Sequence, residues 1–106
     1  MTAKEFVKAI KKEKQNTMSV YFSNISETKV GQMIKELTNM GVPNEFLFQF
    51  VDTILNENYY HMMLALEGEA SLDNIQMTYG LFDEDGNELT GSGDLESEAF
   101  KQFMAE

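Results

Sequence analysis

Ala3, Phe6, Val7 and Ile10 recur at three- and four-residue intervals, the spacing that lines up side chains along one face of an α-helix. Thr2 and Glu5 stand at its start as a T-x-x-E capping box, in which each side chain can take up a backbone N–H of the other residue. Lys4, Lys8, Lys11 and Lys12 fall on another side. The polar stretch Gln15–Thr17 then interrupts, and Met18, Val20 and Phe22 alternate with Ser19 and Tyr21, a period of two that predicts a strand. Helical spacing returns with Val30, Met33, Ile34, Leu37 and Met40. Ser26 is placed to cap that helix, Gly41 to stop it, and Pro43 to open the next one.

The third helix is expected from Asn44 to Asn56. Phe46, Leu47, Phe48, Phe50, Val51, Ile54 and Leu55 cover more than half its circumference. A face that wide belongs to a helix packed on two sides. The expectation is a central helix of this domain, with a homodimer through helix 44–56 as the alternative. Beyond Asn56 a continued helix would set Met63 among Gln49, Asp52 and Asn56, so the stripe fails there. Tyr60, Met62, Leu64 and Leu66 instead read as one face of a strand, and Ile75, Met77, Tyr79 and Leu81 as a face of its antiparallel neighbour, joined near Ser71–Asn74. A short third strand is expected around Asn87–Thr90. Asp94 then caps a last helix with Leu95, Ala99 and Phe103 in line and Phe100 and Met104 beside them.

The order α-β-α-α-β-β-β-α predicts a single α+β domain over residues 1–106, with about four helices and a three- to four-stranded, mainly antiparallel sheet. A winged-helix-like layout is the alternative. Met33, Met40, Met62 and Met77 all fall on apolar stripes and are expected to fill the core.

Charge changes this picture along the chain. Residues 1–35 hold seven Lys against three acids, a net of +4; residues 36–100 hold fourteen acids and no cation, −14; the whole carries −10. There is no Arg, so no guanidinium fork for guanine or phosphate, and the lysine bias suits an AT-rich gene of a bacterium or phage. Direct nucleic-acid binding is not expected, because the cations cluster only at residues 4–14. There is no Cys, which removes disulfides and thiolate chemistry. No apolar run suits a secretory signal or a membrane span, so a cytoplasmic protein without membrane contact is expected.

The stretch "DEDGNELTGSGD", residues 83–94, invites a calcium-loop reading. Counted from Asp83, Asp85 and Asn87 fill positions 3 and 5 and Asp94 fills 12, but position 6 is Glu88 where the loop needs Gly. The Asp85–Gly86 step between extended segments predicts a hairpin tip instead, with Gly86 at positive φ and Asp83, Glu84 and Asp85 in water. Gly91–Gly93 before a helix has no cation near it, and Asp94, Glu96 and Glu98 would repel a phosphate. His61 is the one histidine and has no evident nucleophile or orienting acid to work with.

No catalytic residue, cofactor or metal is therefore expected. The sequence points to a small, acidic, non-enzymatic interaction protein that binds a basic surface of a partner protein, of inhibitor, immunity or antagonist type, with nucleic-acid mimicry as a special case. The candidate partner-binding residues are Asp83, Glu84, Asp85, Glu88 and Asp94 at the acidic tip, and Tyr59 and Tyr60, of which one is expected to be exposed. A small-molecule or metal-ion binding domain is the alternative.

Overall fold

A computed structural model describes residues 1–105, and it replaces the expected α+β domain with a helical protein. The helices are α1 (Ala3–Tyr21), α2 (Lys29–Asn39), α3 (Asn44–Leu66) and α4 (Asp94–Ala99), the last continued by a π-helical turn over Phe100–Met104. Among the described residues there is no strand, only the isolated antiparallel bridges Leu72 with Ile75 and Phe82 with Glu88. The winged-helix alternative falls with the sheet, since its wing is a hairpin of strands.

Two expected strands are helix because their inward positions are held by unexpected residues. Met18–Phe22 lies almost wholly within α1, whose buried positions are Ala3, Val7, Lys14 and Met18, separated by four, seven and four residues. Lys14 stands where an apolar residue would have continued the stripe. Its ammonium meets the Asp52 carboxylate at 2.6 Å, which makes the position habitable for a charge. The 59–66 segment is the second half of α3. That helix buries Leu47 in its first half and both Met63 and Ala65 in its second; two residues apart, these last two point to nearly opposite sides, so the end of the helix is covered on both. The capping signs lie at the true ends. Gly68, at φ +81°, lets Glu69 and Gly68 donate to the carbonyls of Leu64 and Ala65; Gly41, at φ +97°, does the same for α2, with Val42 and Gly41 donating to Leu37 and Thr38. At its other end α2 is capped by Thr28, not Ser26: the Thr28 hydroxyl accepts from the Gly31 N–H at 2.9 Å. Ser26 is buried one step behind, 2.8 Å from that hydroxyl, in space that a Cβ on Gly31 would occupy.

The chain divides into two compact units. Unit 1 comprises residues 1–11 and 56–106. Its core is Ala3, Val7, Met63, Leu95, Ala99 and Phe103, with Phe6, Ile10, Tyr59, Tyr60 and Leu66 packed against it. The capping box forms as the sequence predicts, with Glu5 accepting from the Thr2 N–H at 3.0 Å and Thr2 accepting from the Glu5 N–H at 3.1 Å. Leu95, Ala99 and Phe103 line up inward as expected. Asp94 is the first residue of α4 and not its cap; Gly93 holds that position without a side-chain bond. Between α3 and α4 the chain is irregular. Asp73 and Asn74, both at positive φ, make a tight turn closed by Leu72 and Ile75, so the expected turn exists without its strands. Ile75, Met77 and Tyr79, expected inside, are exposed.

Unit 2 comprises residues 12–55. Met18, Ile34 and Leu47 are its buried apolar side chains, together with buried Lys14 and Ser26. Phe22 and Phe48 pack with ring centroids 5.1 Å apart. Met33 and Met40, expected as core fillers, are exposed here, as Met62 and Met77 are in unit 1; the core methionines are Met18 and Met63. The expected wide burial of α3 also fails. Phe46, Phe48, Phe50 and Ile54 are all about half exposed.

Candidate functional site

Five of the seven candidate residues belong to the acidic tip and its flank, and the structure separates them by role. Asp83 is not left to water. Its carboxylate accepts from the Met1 ammonium at 2.8 Å, from the backbone N–H groups of Asp85 (3.0 Å) and Asn87 (2.9 Å), and from the Asn87 side-chain amide at 3.0 Å. Those hydrogen bonds, with the ammonium first and then Asn87, hold its pKa well below the usual carboxylate range, while Asp83 in turn raises the pKa of the ammonium. Asp83 is thus the knot that ties the turn. Gly86 takes φ +84° as expected, and its N–H donates to the Asp83 carbonyl at 3.1 Å.

Around that knot, Glu84, Asp85 and Glu88 are exposed, and Asp94 is exposed at the start of α4. Leu89 and Thr90 directly behind them are buried. The Thr90 hydroxyl accepts from the Leu81 N–H at 3.0 Å, and the Leu89 N–H donates to the Leu81 carbonyl at 2.8 Å. Glu67 accepts from the Gly91 N–H at 3.0 Å and anchors the far side. The exposed carboxylates therefore sit on a backbone braced from within.

Neither Tyr59 nor Tyr60 is fully exposed, where one of the two was expected to be. Both are half-buried, Tyr59 tilted on Phe103 with ring centroids 5.5 Å apart and Tyr60 edge-on to Phe100 at 6.0 Å. The strand reading put them on opposite sides; on a helix, neighbours a hundred degrees apart can share one packed face.

Charge is unequally divided between the units. Unit 1 holds four Lys against thirteen acids, a net of −9; unit 2 holds four Lys against five acids, a net of −1. Unit 2 carries an apolar surface, on the helix for which the sequence offered a homodimer contact as the alternative to a central position. Phe46, Phe50 and Ile54 lie at i, i+4 and i+8 on α3, with the Phe46 and Phe50 rings stacked at 6.3 Å. Met33, Leu37 and Met40 form a second exposed row on α2. Its signal was the excess width of the α3 stripe, read as a central helix with cover by a second copy as the alternative. An open hollow of about 390 Å³ is lined in the same unit by residues that include Tyr21, Phe22, Ile34 and Lys35.

Among the described residues no three His, Asp or Glu side chains are grouped to hold a metal ion, and His61 is exposed. No helix there is long and apolar enough to cross a membrane. Comparison with protein-family models, with characterised proteins and with solved structures returned no match.

Proposed function

We propose that this is a non-enzymatic interaction protein whose acidic face, centred on the braced turn at residues 83–88, binds a basic surface of a partner protein. The observation that carries the reading is the contrast within that turn. One carboxylate, Asp83, is consumed in holding the backbone, while Glu84, Asp85 and Glu88 stand exposed beside it. A braced backbone has little freedom left to lose when a cation meets the carboxylates it carries, and a net of −9 over unit 1 adds long-range attraction for a basic partner. An inhibitor, immunity protein or antagonist of a cationic protein works by this physics, and a carboxylate row that imitates phosphates would be its special case.

The test is capture of a basic protein from the source lysate, by the wild type and by the triple variant Glu84→Gln, Asp85→Asn, Glu88→Gln. Capture at low salt that is lost at high salt, and lost in the variant, supports the reading, because screening over about 8 Å removes exposed charge attraction. Capture indifferent to salt and to the three substitutions, or no capture at any salt, counts against it.

A further inference from the structure

We infer that the exposed ridge Phe46–Phe50–Ile54 of α3 is the contact by which two copies of this chain pair, antiparallel, about a two-fold axis at Phe50. This rests on unit 2 and is independent of the acidic-face reading.

Unit 2 is short of core. Among its described residues three apolar side chains are buried, Met18, Ile34 and Leu47, while Phe46, Phe50 and Ile54 remain 59%, 55% and 49% exposed. At roughly 200 Å² per large side chain, those three expose roughly 300 Å². That area is at the scale of the largest apolar patch on an ordinary monomer and is more than a third of the ~800 Å² each partner gives to a stable interface.

The occupant follows from spacing and charge. A two-fold contact needs a self-complementary surface, in which residue i meets j and j meets i. The ridge has that form: with Phe50 on the axis, Phe46 of one copy meets Ile54 of the other, and the reverse. Residues four apart form the ridges that interdigitate in the commonest helix packing. The adjoining row is Glu45, Gln49, Thr53 and Glu57, neutral at its centre and acidic at its ends. Antiparallel pairing sets Glu45 against Leu55 and Glu57 against Pro43 of the second copy. Parallel pairing would set Glu45 against Glu45 and Glu57 against Glu57, a repulsive match. Self-association of a chain with charge −10 must also find a surface that does not repel its own copy, and unit 2, at −1, supplies it.

The test is sedimentation over a wide concentration range with the full chain. The wild type is expected to pass from monomer to dimer as concentration rises, and Phe50→Glu to weaken dimerisation at least tenfold with helicity retained, since Phe50 is exposed in the single copy. Cysteine cross-linking reads the geometry on a chain with no native Cys. Phe50→Cys should oxidise to a linked dimer. A mixture of Phe46→Cys with Ile54→Cys should link faster than either variant with itself. A wild type that stays monomeric at every concentration overturns the proposal. So does a dimer indifferent to Phe50→Glu, or faster self-linking of Phe46→Cys than of the mixture. Capture of a basic protein could still succeed after any of these failures, so the two readings fail separately.

Discussion

Residues 1–11 with 56–106 and residues 12–55 differ in how much apolar surface they bury and in how much charge they carry. The first unit buries eight apolar residues among those described, from Ala3 to Phe103, and displays most of the acids. The second buries three, admits the charge pair Lys14–Asp52 at 2.6 Å, is almost neutral, and displays two rows of large apolar side chains. A segment of 44 residues has too little buried surface to be self-sufficient, and an exposed apolar surface is what such a segment shows when something else is needed to cover it. The acidic unit has the larger interior and most of the charge, although it too exposes apolar side chains, among them Ile75, Met77, Phe82 and Phe100.

The largest effects should come from the cores, and unequally. Leu95 is fully buried at the centre of the unit 1 core, so Leu95→Ala leaves a cavity lined by side chains fixed on several sides and should cost about 3–5 kcal/mol. Ile34→Ala in unit 2 should cost about 2 kcal/mol, the low end of the same range, because few buried neighbours surround it and the site can collapse. Urea titration of both variants measures the pair. Equal costs would break the contrast between the larger core and the smaller one.

A smaller effect is expected at the ion pair of unit 2. Lys14 is buried and Asp52 is about one-third exposed, so Asp52→Ala removes a carboxylate from an ammonium that cannot reach water, while solvent near Asp52 screens part of the loss. The expected cost is about 1 kcal/mol. The double variant Lys14→Met, Asp52→Leu should recover that loss or exceed the wild type in thermal unfolding, since apolar residues of similar volume need no desolvation. A double variant less stable than Asp52→Ala would show that the pair is worth more than the core it displaces, and would remove the case for calling unit 2 deficient.

Lys14 also explains how much of this architecture could be read from the sequence. The capping box at Thr2 and Glu5, the α2 stop at Gly41, the positive-φ turn at Gly86 and the inward line Leu95–Ala99–Phe103 were all legible, because each is a local rule satisfied by neighbours in the chain. The strands at 18–22 and 60–66 were misread where tertiary partners decided the outcome. Lys14 breaks the apolar period of α1 because its counter-charge lies 38 residues away, and Met63 looks misplaced on α3 because the end of that helix is buried on two nearly opposite sides, by Met63 and by Ala65. Gly68 was the sign that could have corrected the second error, since a helix stop after Leu66 implies a helix before it. Alternation at Ile75–Leu81 misled for a simpler reason: a period of two describes a strand only when a neighbour pairs with it, and here the expected neighbour is helix. The turn at Gly86 lies where the Asp85–Gly86 step placed it, but Asp83 was counted with its exposed neighbours because its bond to Met1 spans 82 residues.

Asp83 provides the finest test of how unit 1 holds its acidic surface. Its depressed pKa means that the native state favours the ionised carboxylate, held by the Met1 ammonium, then the Asn87 side chain and backbone. Glu5 is lowered in the same direction by the Thr2 N–H and hydroxyl. A group whose folded pKa lies below its unfolded value contributes stability that is fully present above the unfolded value, about 4 for such a carboxylate, and that is lost as pH falls through the folded value. Asp83→Asn keeps the size of the side chain but removes its charge and replaces one acceptor by a donor. The melting temperature of Asp83→Asn should therefore lie a few degrees below the wild type at neutral pH. The gap should narrow steadily once pH falls below about 4, where Asp83 of the unfolded chain binds a proton that the folded carboxylate still refuses. A gap that held constant down through the acid range would show that the side chain acts by shape alone. In that case the brace under Glu84, Asp85 and Glu88 would not depend on the charge of Asp83.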